Sequence, residues 1–445
     1  MSVATFKGGI HPYDGKAFSA DAEIIPVNGR KEFVFPLLQH IGKPAVPVVD
    51  IGEQVLVGQK IGAASSGISA NVISSVSGVV TAIEERLTPR GENIKSVVIE
   101  NDGRDDTIEG LGDDRSHEYL TKDEIRDIIK EAGIVGMGGA GFPTHIKLTP
   151  ENEAEIEYII VNGAECEPYL TSDYRLMKER SQQIIEGLKI ELSLFDHARG
   201  IIAVEDNKAD VIELLEKSLE NEPNIEVQRL TAKYPQGGER VIIYAVTGRK
   251  IHYSMLPAEV GCIVTNVGTT AAIYQAVCKS TPPISTVVTF SGGAVAKPAN
   301  FEVRLGCSMA DLTAEAGGFH DDLEKMITGG PMMGVTLDTL AVPVIKTSSS
   351  ILGFTKDECS AYESNPCIRC GRCLKVCPSH IVPQRLVLFT REKNYKAFER
   401  ANGMECCECG CCSYICPARI KLTESFSEAR EIILKKQKNI NRGER

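Results

Sequence analysis

Short segments of alternating apolar and polar residues occupy much of the first hundred positions. VVDIGEQVLVGQKIG at 48–62 and SANVISSVSGVVTAIE at 69–84 each contain short strand patterns separated by a glycine-centred turn. The pattern ends near residue 103, and the acidic, glycine-containing EGLGDD at 109–114 has the composition of a linker. We therefore predict an N-terminal β module over residues 1–110.

The middle of the chain changes to an α/β pattern. TKDEIRDIIKEAG at 121–133 has helical spacing and precedes a glycine-rich run. EIEYIIVN at 155–162 is a strand pattern that ends in polar and acidic residues, and another strand-to-helix junction follows Cys262. Polar side chains at the carboxyl ends of strands are typical of ligand sites in α/β folds.

The last ninety residues are predicted to be helical. Gln384 to Asn402 carries apolar residues at the spacing of a helix pair, and SFSEAREIILKKQ at 425–437 predicts another helix. We place a short helical domain at 355–445.

Composition narrows the functional class. The 445-residue chain has a formal charge of −11, which disfavours nucleic acid as a partner because phosphate binding needs a basic surface. No stretch is apolar enough for a membrane span, and the N-terminus lacks a signal-peptide pattern. We expect an intracellular protein, in which a dense cysteine cluster indicates metal rather than disulfides.

Eleven of the 15 cysteines lie between Cys359 and Cys416. Two runs, 367–378 and 406–417, share the spacing C-x2-C-x2-C-x3-C-P, in which three cysteines bind one [4Fe–4S] cluster and the fourth binds the other. Zinc ribbons, the alternative, use pairs of cysteines. The predicted ligands are Cys367, Cys370, Cys373 and Cys416 for cluster 1, and Cys377, Cys406, Cys409 and Cys412 for cluster 2. Cys359, Cys407 and Cys411 are surplus; Cys407 and Cys411 are substitute ligands in an alternative interpretation, but both break the shared spacing.

The glycine-rich run at 133–141 has five glycines in nine positions. Such a run allows backbone N–H groups to approach phosphate oxygens closely, and Lys147 adds a positive charge. A Rossmann turn requires a strand before the glycines, and the sequence has none there. A tight turn between helices is therefore the alternative interpretation. Asn162, Glu165 and Glu167 suit hydrogen bonds to hydroxyl or amide groups, although each is also a plausible helix cap or turn residue.

The ordered motifs G-x-G-G-A-G-F-P-T-x-x-K, V-N-x-x-E-x-E-P, Y-x-x-G-x-E and N-V-x-T resemble the flavin subunit of respiratory complex I. The resemblance implies an FMN cleft in which NADH stacks on the flavin. The FMN-binding residues that it implies are Gly136, Gly138, Lys147, Asn162, Glu165, Tyr234, Gly237, Asn266 and Thr269. The residues that it places near NADH are Phe142, Glu167 and Glu239.

The match to this pattern is incomplete. Met137 stands where that family often has Arg, Ala164 where it has Asp, Gly238 where it has an acid and Thr265 where it has Asn. These differences affect which side chains contact the flavin and the reduction potential of the flavin.

The flanking segments extend the resemblance. The N-terminal module is similar to a lipoyl/biotinyl-type barrel-sandwich hybrid, but AASSGISA, at the hairpin that would carry a modified lysine, contains none. Residues 284–350 resemble a β-grasp domain of the SLBB type. The implied fold class is multidomain α/β and α+β, with a flavin-subunit-like domain at 118–280 and a helical, ferredoxin-like 2[4Fe–4S] domain last.

This domain order resembles the C subunits of the Rnf complexes, which are ion-translocating ferredoxin:NAD+ oxidoreductases. The resemblance implies an NADH-linked flavin and iron–sulfur oxidoreductase subunit. Its implied partners are membrane subunits and a ferredoxin-like iron–sulfur subunit, and its implied place is peripheral, on the cytoplasmic face of the membrane. The alternatives are a soluble relative, such as a cobalamin reductase or a proline-reductase electron carrier, and a non-catalytic scaffold for clusters.

Overall fold

The computed structural model describes residues 3–27, 29–359 and 362–441. Its strands are β1 (Ile24–Val27), β2 (Glu32–Pro36), β3 (Val46–Pro47), β4 (Gln54–Val55), β5 (Lys60–Ala63), β6 (Val72–Ile73), β7 (Gly78–Leu87), β8 (Asn93–Asn101), β9 (Tyr158–Gly163), β10 (Arg199–Glu205), β11 (Ile225–Leu230), β12 (Cys262–Asn266), β13 (Ser285–Ser291), β14 (Ala299–Arg304), β15 (Leu323–Thr328), β16 (Val335–Leu337) and β17 (Ser350–Thr355).

Its α-helices are α1 (Lys122–Glu131), α2 (Thr144–Lys147), α3 (Ser172–Glu179), α4 (Ser181–Ser193), α5 (Ala209–Ser218), α6 (Glu239–Thr247), α7 (Val267–Cys278), α8 (Met309–Glu315), α9 (Arg372–Val376), α10 (Pro383–Arg391), α11 (Tyr395–Arg400), α12 (Cys411–Tyr414) and α13 (Leu422–Asn441). Within the described ranges, no helix is both long and apolar enough to cross a bilayer.

The N-terminal β module consists of two small sheets. One has the strand order β2-β8-β7-β4 and the other β3-β5-β6, and all of their pairings are antiparallel. Phe33, Phe35 and Ile61 are fully buried between them because alternate residues of these strands point inward. Two small antiparallel sheets around a shared core confirm the predicted sandwich class of this module.

A parallel four-stranded sheet of order β11-β10-β9-β12 forms the middle of the chain. The strand YIIVNG is β9, and its run of β-branched residues is buried because helices cover the sheet. The chain leaves β9 towards β10 on one side and returns as β12 on the other. The carboxyl ends of β9 and β12 therefore flank a topological switch point, where α/β sheets bind ligands.

A six-stranded mixed sheet of order β1-β14-β13-β17-β15-β16 follows. It shares one hydrophobic core with the N-terminal β module, so the two β parts pack as a unit. The predicted end of the β-grasp segment at residue 350 falls at the start of β17, and β17 pairs with both β13 and β15. The sheet therefore extends beyond that boundary, to Thr355.

The C-terminal part is helical, as predicted. The helix pair expected over 384–402 is α10 and α11, separated by Lys393 at a positive φ of 53°. Phe398 and Phe426 are fully buried in the core between these helices and α13, with several of the motif cysteines.

A buried lysine joins three parts of the fold. Lys346, between β16 and β17, is 2% exposed, and its Nζ donates to the carbonyl oxygens of Asn71 and Gly133, each at 2.6 Å. Burial lowers the pKa of this amine to about 7. The lysine thus ties the N-terminal β module to the first residue of the glycine-rich run.

Lys346→Met should remove a pH-dependent contribution to stability. The folded pKa lies below the value of about 10.4 in an unfolded chain, so the unfolded chain binds more protons between these values. Stability from this group therefore rises with pH in that interval. The advantage of the wild type over the variant should grow from about pH 7 to about pH 10, measured as anaerobic thermal midpoints.

The matched control is Lys60→Met. Lys60 is an exposed lysine that joins the N-terminal β module to α1 through Glu131, at 2.6 Å. Loss of this surface pair should cost less than about 1 kcal/mol. A difference in thermal midpoint between the wild type and Lys346→Met that stays constant across the pH range would contradict a lowered pKa of the Lys346 amine.

Candidate functional site

A cavity of about 850 Å³ opens at the switch point between β9 and β12. Its size is within the roughly 300–1,000 Å³ of small-molecule and cofactor sites. The inner wall comes from the ends of β9 and β12 and from the glycine-rich run, and the outer wall from the six-stranded sheet, including Glu302 and Thr328–Gly330. The six-stranded sheet is therefore part of the cavity wall.

The glycine-rich run forms a closed loop over α7. Gly136 N donates to the carbonyl of Phe142 at 2.9 Å, and Met137 N donates to Thr269 Oγ1 at 2.9 Å. A Cβ on Gly138 would lie 2.5 Å from Asn266 Nδ2, so only glycine allows this approach. Thr269 thus positions the loop, while Gly138 and Asn266 form the cavity wall.

Asn266 connects the loop to an acid that the sequence analysis missed. Its Oδ1 accepts a hydrogen bond from Gly268 N at 2.8 Å, capping α7, and its Nδ2 donates to Asp173 Oδ2 at 2.7 Å. Asp173 lines the cavity, and burial, followed by the neighbouring Glu165, raises its pKa to about 7. The only signal in the sequence was its place in the first turn of α3, where an acid is ordinary.

Glu165 lies in the cavity wall at a positive φ of 47°. Its carboxylate accepts from the backbone N–H groups of Asp173 at 2.7 Å and Tyr174 at 3.3 Å, at the start of α3. Burial raises its pKa, while Lys16 Nζ, 3.8 Å from Oε2, opposes that shift. This carboxylate therefore holds the site together as well as lining it.

Two residues that line the cavity each have a buried polar atom without a hydrogen-bond partner among the described residues; the atoms are Glu167 Oε1 and Tyr234 Oη. Glu167 Oε2 accepts from Met332 N at 3.1 Å, and burial raises the Glu167 pKa to about 7. Burial also raises the pKa of Tyr234. Buried polar groups are costly when unpaired, so these two atoms fit a bound molecule with complementary polar groups.

The other predicted positions divide between the cavity wall and its surroundings. Asn162 and Gly237 line the cavity, and Asn162 Nδ2 donates to the Gly237 carbonyl at 2.8 Å. Lys147 does not reach the wall; its Nζ donates to the Val264 carbonyl at 2.7 Å and lies 3.5 Å from Glu239. Gly136, Phe142, Glu239 and Thr269 also lie outside the lining. The FMN and NADH roles assigned to all of the predicted site residues, inside and outside the lining, remain predictions.

The structure adds residues that sequence reasoning did not assign to the site. Cys166 lines the cavity, and its Sγ accepts from Gly237 N at 3.3 Å. Lys16 comes from the N-terminus, and Arg180 lines the outer part of the cavity, where it pairs with Glu302. No local motif marks Lys16 or Arg180, because each reaches the site through long-range packing, whereas Cys166 occupies an unspecified position of the V-N-x-x-E-x-E-P motif.

The two cysteine runs fold into loops with the same backbone pattern. We call residues 367–377 the first cysteine loop and residues 406–416 the second. Counted from the first cysteine of each run, positive φ recurs at the same three positions, which are Arg369, Gly371 and His380 in one copy and Glu408, Gly410 and Arg419 in the other. In both copies the second residue after that cysteine donates its N–H to the thiol sulfur at 3.4 Å. The repeat in sequence is therefore a repeat in structure.

Cysteines of the two loops lie next to one another. Cys377, from the first loop, lines one small cavity with five cysteines of the second loop, which are Cys406, Cys407, Cys409, Cys411 and Cys412. Burial raises the pKa of the Cys373 thiol, with further contributions from Cys412 and Cys416. The thiols of the two loops therefore lie close together, as the crossed ligation of [4Fe–4S] clusters in two-cluster ferredoxins requires. No three His, Cys, Asp or Glu side chains of the described ranges converge as ligands of one metal ion, and the ligand sets remain a prediction.

Cys407 and Cys411, the surplus cysteines of the second loop, line that small cavity and also pack towards Tyr234. Cys411 is fully buried, and its thiol lies 3.8 Å from the Tyr234 carbonyl oxygen. Cys407 and Cys409 belong to the same apolar cluster, together with Cys166. The second cysteine loop therefore packs directly behind the cavity wall.

Comparison with known proteins gives domain matches along the chain. A model of the Nuo51 FMN-binding domain matches residues 129–275, the RnfC barrel sandwich hybrid domain matches residues 4–104, and the SLBB domain matches residues 287–336. These matches confirm the predicted fold class, and the first of them supports FMN as the cofactor of the cavity.

Several relatives are similar over most of the chain. The C subunit of a proton-translocating ferredoxin:NAD(+) oxidoreductase complex from Clostridium ljungdahlii is 42% identical, covering 88% of this chain and 86% of that protein. The C subunit of an Na(+)-translocating complex from Acetobacterium woodii is 40% identical, covering 98% of each chain. The C subunit of an ion-translocating oxidoreductase complex from Pseudomonas aeruginosa is 37% identical, covering 87% of this chain and 50% of that protein.

The cavity, the paired cysteine loops and the order of the matched domains all agree with these similarities. The chain belongs to the family of C subunits of the Rnf-type ion-translocating ferredoxin:NAD(+) oxidoreductase complexes.

Proposed function

We propose that this chain exchanges electrons with NAD(H) at the switch-point cavity and carries them through the two cysteine loops to a partner subunit. FMN and two [4Fe–4S] clusters are its cofactors, and NAD(H) is its substrate. The observation that supports the path is the position of Tyr234, which lines the cavity and packs on Cys409 and Cys411 of the second loop.

FMN supplies the chemistry that joins these parts: when bound, it takes the hydride of NADH with one solvent proton and gives up the two electrons singly. The chain's own residues position and enclose it. Tyr234 Oη and Glu167 Oε1 are polar atoms without partners among the described residues. The glycine-rich run, through Gly138, allows its backbone to approach a bound molecule closely. The six-stranded sheet encloses the cavity on its outer side.

We propose the residue roles that the resemblance implies. FMN would contact Gly136, Gly138, Lys147, Asn162, Glu165, Tyr234, Gly237, Asn266 and Thr269, and NADH would contact Phe142, Glu167 and Glu239. The support is strongest for the residues that line the cavity.

We propose cluster 1 on Cys367, Cys370, Cys373 and Cys416, and cluster 2 on Cys377, Cys406, Cys409 and Cys412. Cluster 2 would lie nearer the cavity, because its loop packs behind Tyr234. Cluster 1 would lie near solvent, because Cys367 and Cys370 are exposed.

The exposed first loop is the proposed docking surface for the electron partner. Between Pro366 and Arg391 the sequence has no Asp or Glu, in a chain of net charge −11. Arg369, Arg372 and Lys375 are exposed there beside Ile368 and Leu374. A basic surface with an apolar centre suits an acidic iron–sulfur partner. We further propose that membrane subunits of the complex hold this chain at the cytoplasmic face.

The first test replaces one oxygen in the cavity. Tyr234→Phe removes a buried hydroxyl that has no described partner, so the flavin-free chain should not lose stability. If that hydroxyl bonds FMN, FMN affinity should fall about two- to tenfold, measured by fluorescence titration. Tyr244→Phe, at an exposed tyrosine of α6, is the control. Equal FMN affinity of the wild type and Tyr234→Phe would remove Tyr234 from the FMN site.

The second test addresses the crossed ligation. The wild type, purified without oxygen, should contain about eight irons and eight sulfides. Cys416→Ala should abolish the same EPR signal as Cys370→Ala, and Cys377→Ala the same signal as Cys409→Ala. Cys359→Ala, at a surplus cysteine, should keep both signals. If Cys416→Ala instead matches Cys409→Ala, each loop binds its own cluster without exchange.

The third test measures partner docking. Arg372→Gln with Lys375→Gln should slow electron transfer to an acidic ferredoxin at low salt, while NADH still reduces the chain's own clusters. The difference from the wild type should shrink as salt screens the charges. Lys43→Gln, at an exposed lysine of the N-terminal β module, is the control. A loss that does not depend on salt would exclude electrostatic docking at this face.

A further inference from the structure

The first residues of the chain do not join the N-terminal β module that follows them. We call residues 3–20 the N-terminal arm. Its start pairs with the edge of the parallel sheet: Ala4 N donates to the Arg229 carbonyl at 2.8 Å, and Thr231 N donates to the Ala4 carbonyl at 3.0 Å. The arm therefore begins on the part of the chain that forms the cavity.

The arm then passes between the cavity wall and the cysteine loops. Ile10 and Tyr234 exchange two backbone hydrogen bonds, each 2.9 Å, and Gly9 N donates to the Val376 carbonyl at 2.9 Å. Val376 directly precedes Cys377. A Cβ on Gly8 would lie 3.1 Å from the Cys377 carbonyl, at a φ of 104°, so the arm approaches the loop as closely as glycine permits.

The side chain of Ile10 fills the space at this crossing. It is 4% exposed and forms one apolar cluster with Tyr234, Cys409 and Cys411. One residue of the arm thus contacts the cavity wall and the second cysteine loop together.

Lys16 fastens the far end of the arm to the same wall. Its Nζ donates to the carbonyls of Glu165 at 2.9 Å, Glu167 at 3.1 Å and Leu170 at 2.5 Å. Ser19 Oγ follows, 2.7 Å from Thr171 Oγ1. The arm is therefore anchored on both sides of Ile10, which fixes where Ile10 sits.

We infer that the N-terminal arm, through Ile10, is the positioning element that sets the second cysteine loop against the cavity wall for electron transfer. The inference rests on the proposed function and adds a role that no domain of the chain carries by itself. A direct pair, Arg240 with Glu405 at 2.8 Å, joins α6 to the cysteine-bearing part as well. That pair is partly exposed, whereas the arm packs in the buried layer between Tyr234 and the cysteines.

The experiment uses the full chain with all cofactors and compares two rates by anaerobic stopped flow. Ile10→Ala should leave flavin reduction by NADH unchanged and slow cluster reduction roughly tenfold, within the up to about hundredfold loss that a 1 Å misplacement can cause. Ile10→Val, a smaller deletion that keeps the fold, should give an intermediate rate. Val3→Ala, at an exposed position of the arm, should match the wild type.

A structural readout accompanies the rates. Hydrogen exchange of the Tyr234 amide, which donates to Ile10, should speed up in Ile10→Ala and not in Val3→Ala. Wild-type cluster reduction in both Ile10 variants, with flavin and iron content intact, would overturn the inference. Equal slowing of flavin reduction would also overturn it, since the arm would then act on the whole fold. If the wild type itself shows no flavin reduction by NADH, the proposed function fails instead.

Discussion

The packing around Tyr234 is the contact on which the rest of the account depends. This residue is 1% exposed and lines the cavity, and its backbone carbonyl oxygen lies 3.8 Å from the Cys411 thiol. A two-electron site and a one-electron site must lie close together to exchange electrons, and water between them would weaken the coupling. This tyrosine and Ile10 fill that space with buried side chains. The parallel-sheet domain and the second cysteine loop therefore share one apolar interface, which places the two kinds of site side by side.

Buried charges determine how that interface is assembled. Lys208, 3% exposed at its side chain, donates to the Ala164 carbonyl at 2.7 Å and lies 3.5 Å from Glu205. With Lys16 and Glu165, these groups form a paired network beneath the cavity. An isolated buried charge is costly, so each group needs its partners, and removal of one would destabilise the others. These charged groups therefore hold the segment that follows β9 on one side, and residues of the same segment line the cavity.

Local sequence patterns predicted the parts whose chemistry is local. The shared cysteine spacing is accompanied by positive φ at the same positions of both loops, and the polar ends of β9 and β12 anticipated Asn162 and Asn266 in one wall. Parallel strands bring their carboxyl ends together, so this inference needed no tertiary information. Asp173 and Lys16 were missed because they reach the site from a helix turn and from a distant arm, positions that carry no periodic signal. Lys147, predicted to add a charge near a phosphate, donates to the Val264 carbonyl in this structure, and its role at FMN stays a prediction.

The order in which the two clusters take electrons tests the central claim most directly. The wild-type chain with all cofactors would be mixed with NADH and freeze-quenched at successive times for EPR, with Cys370→Ala and Cys409→Ala samples identifying the two signals. The account predicts that the signal lost in Cys409→Ala appears first and the signal lost in Cys370→Ala follows. The reverse order, or rapid cluster reduction in chain stripped of flavin, would contradict it.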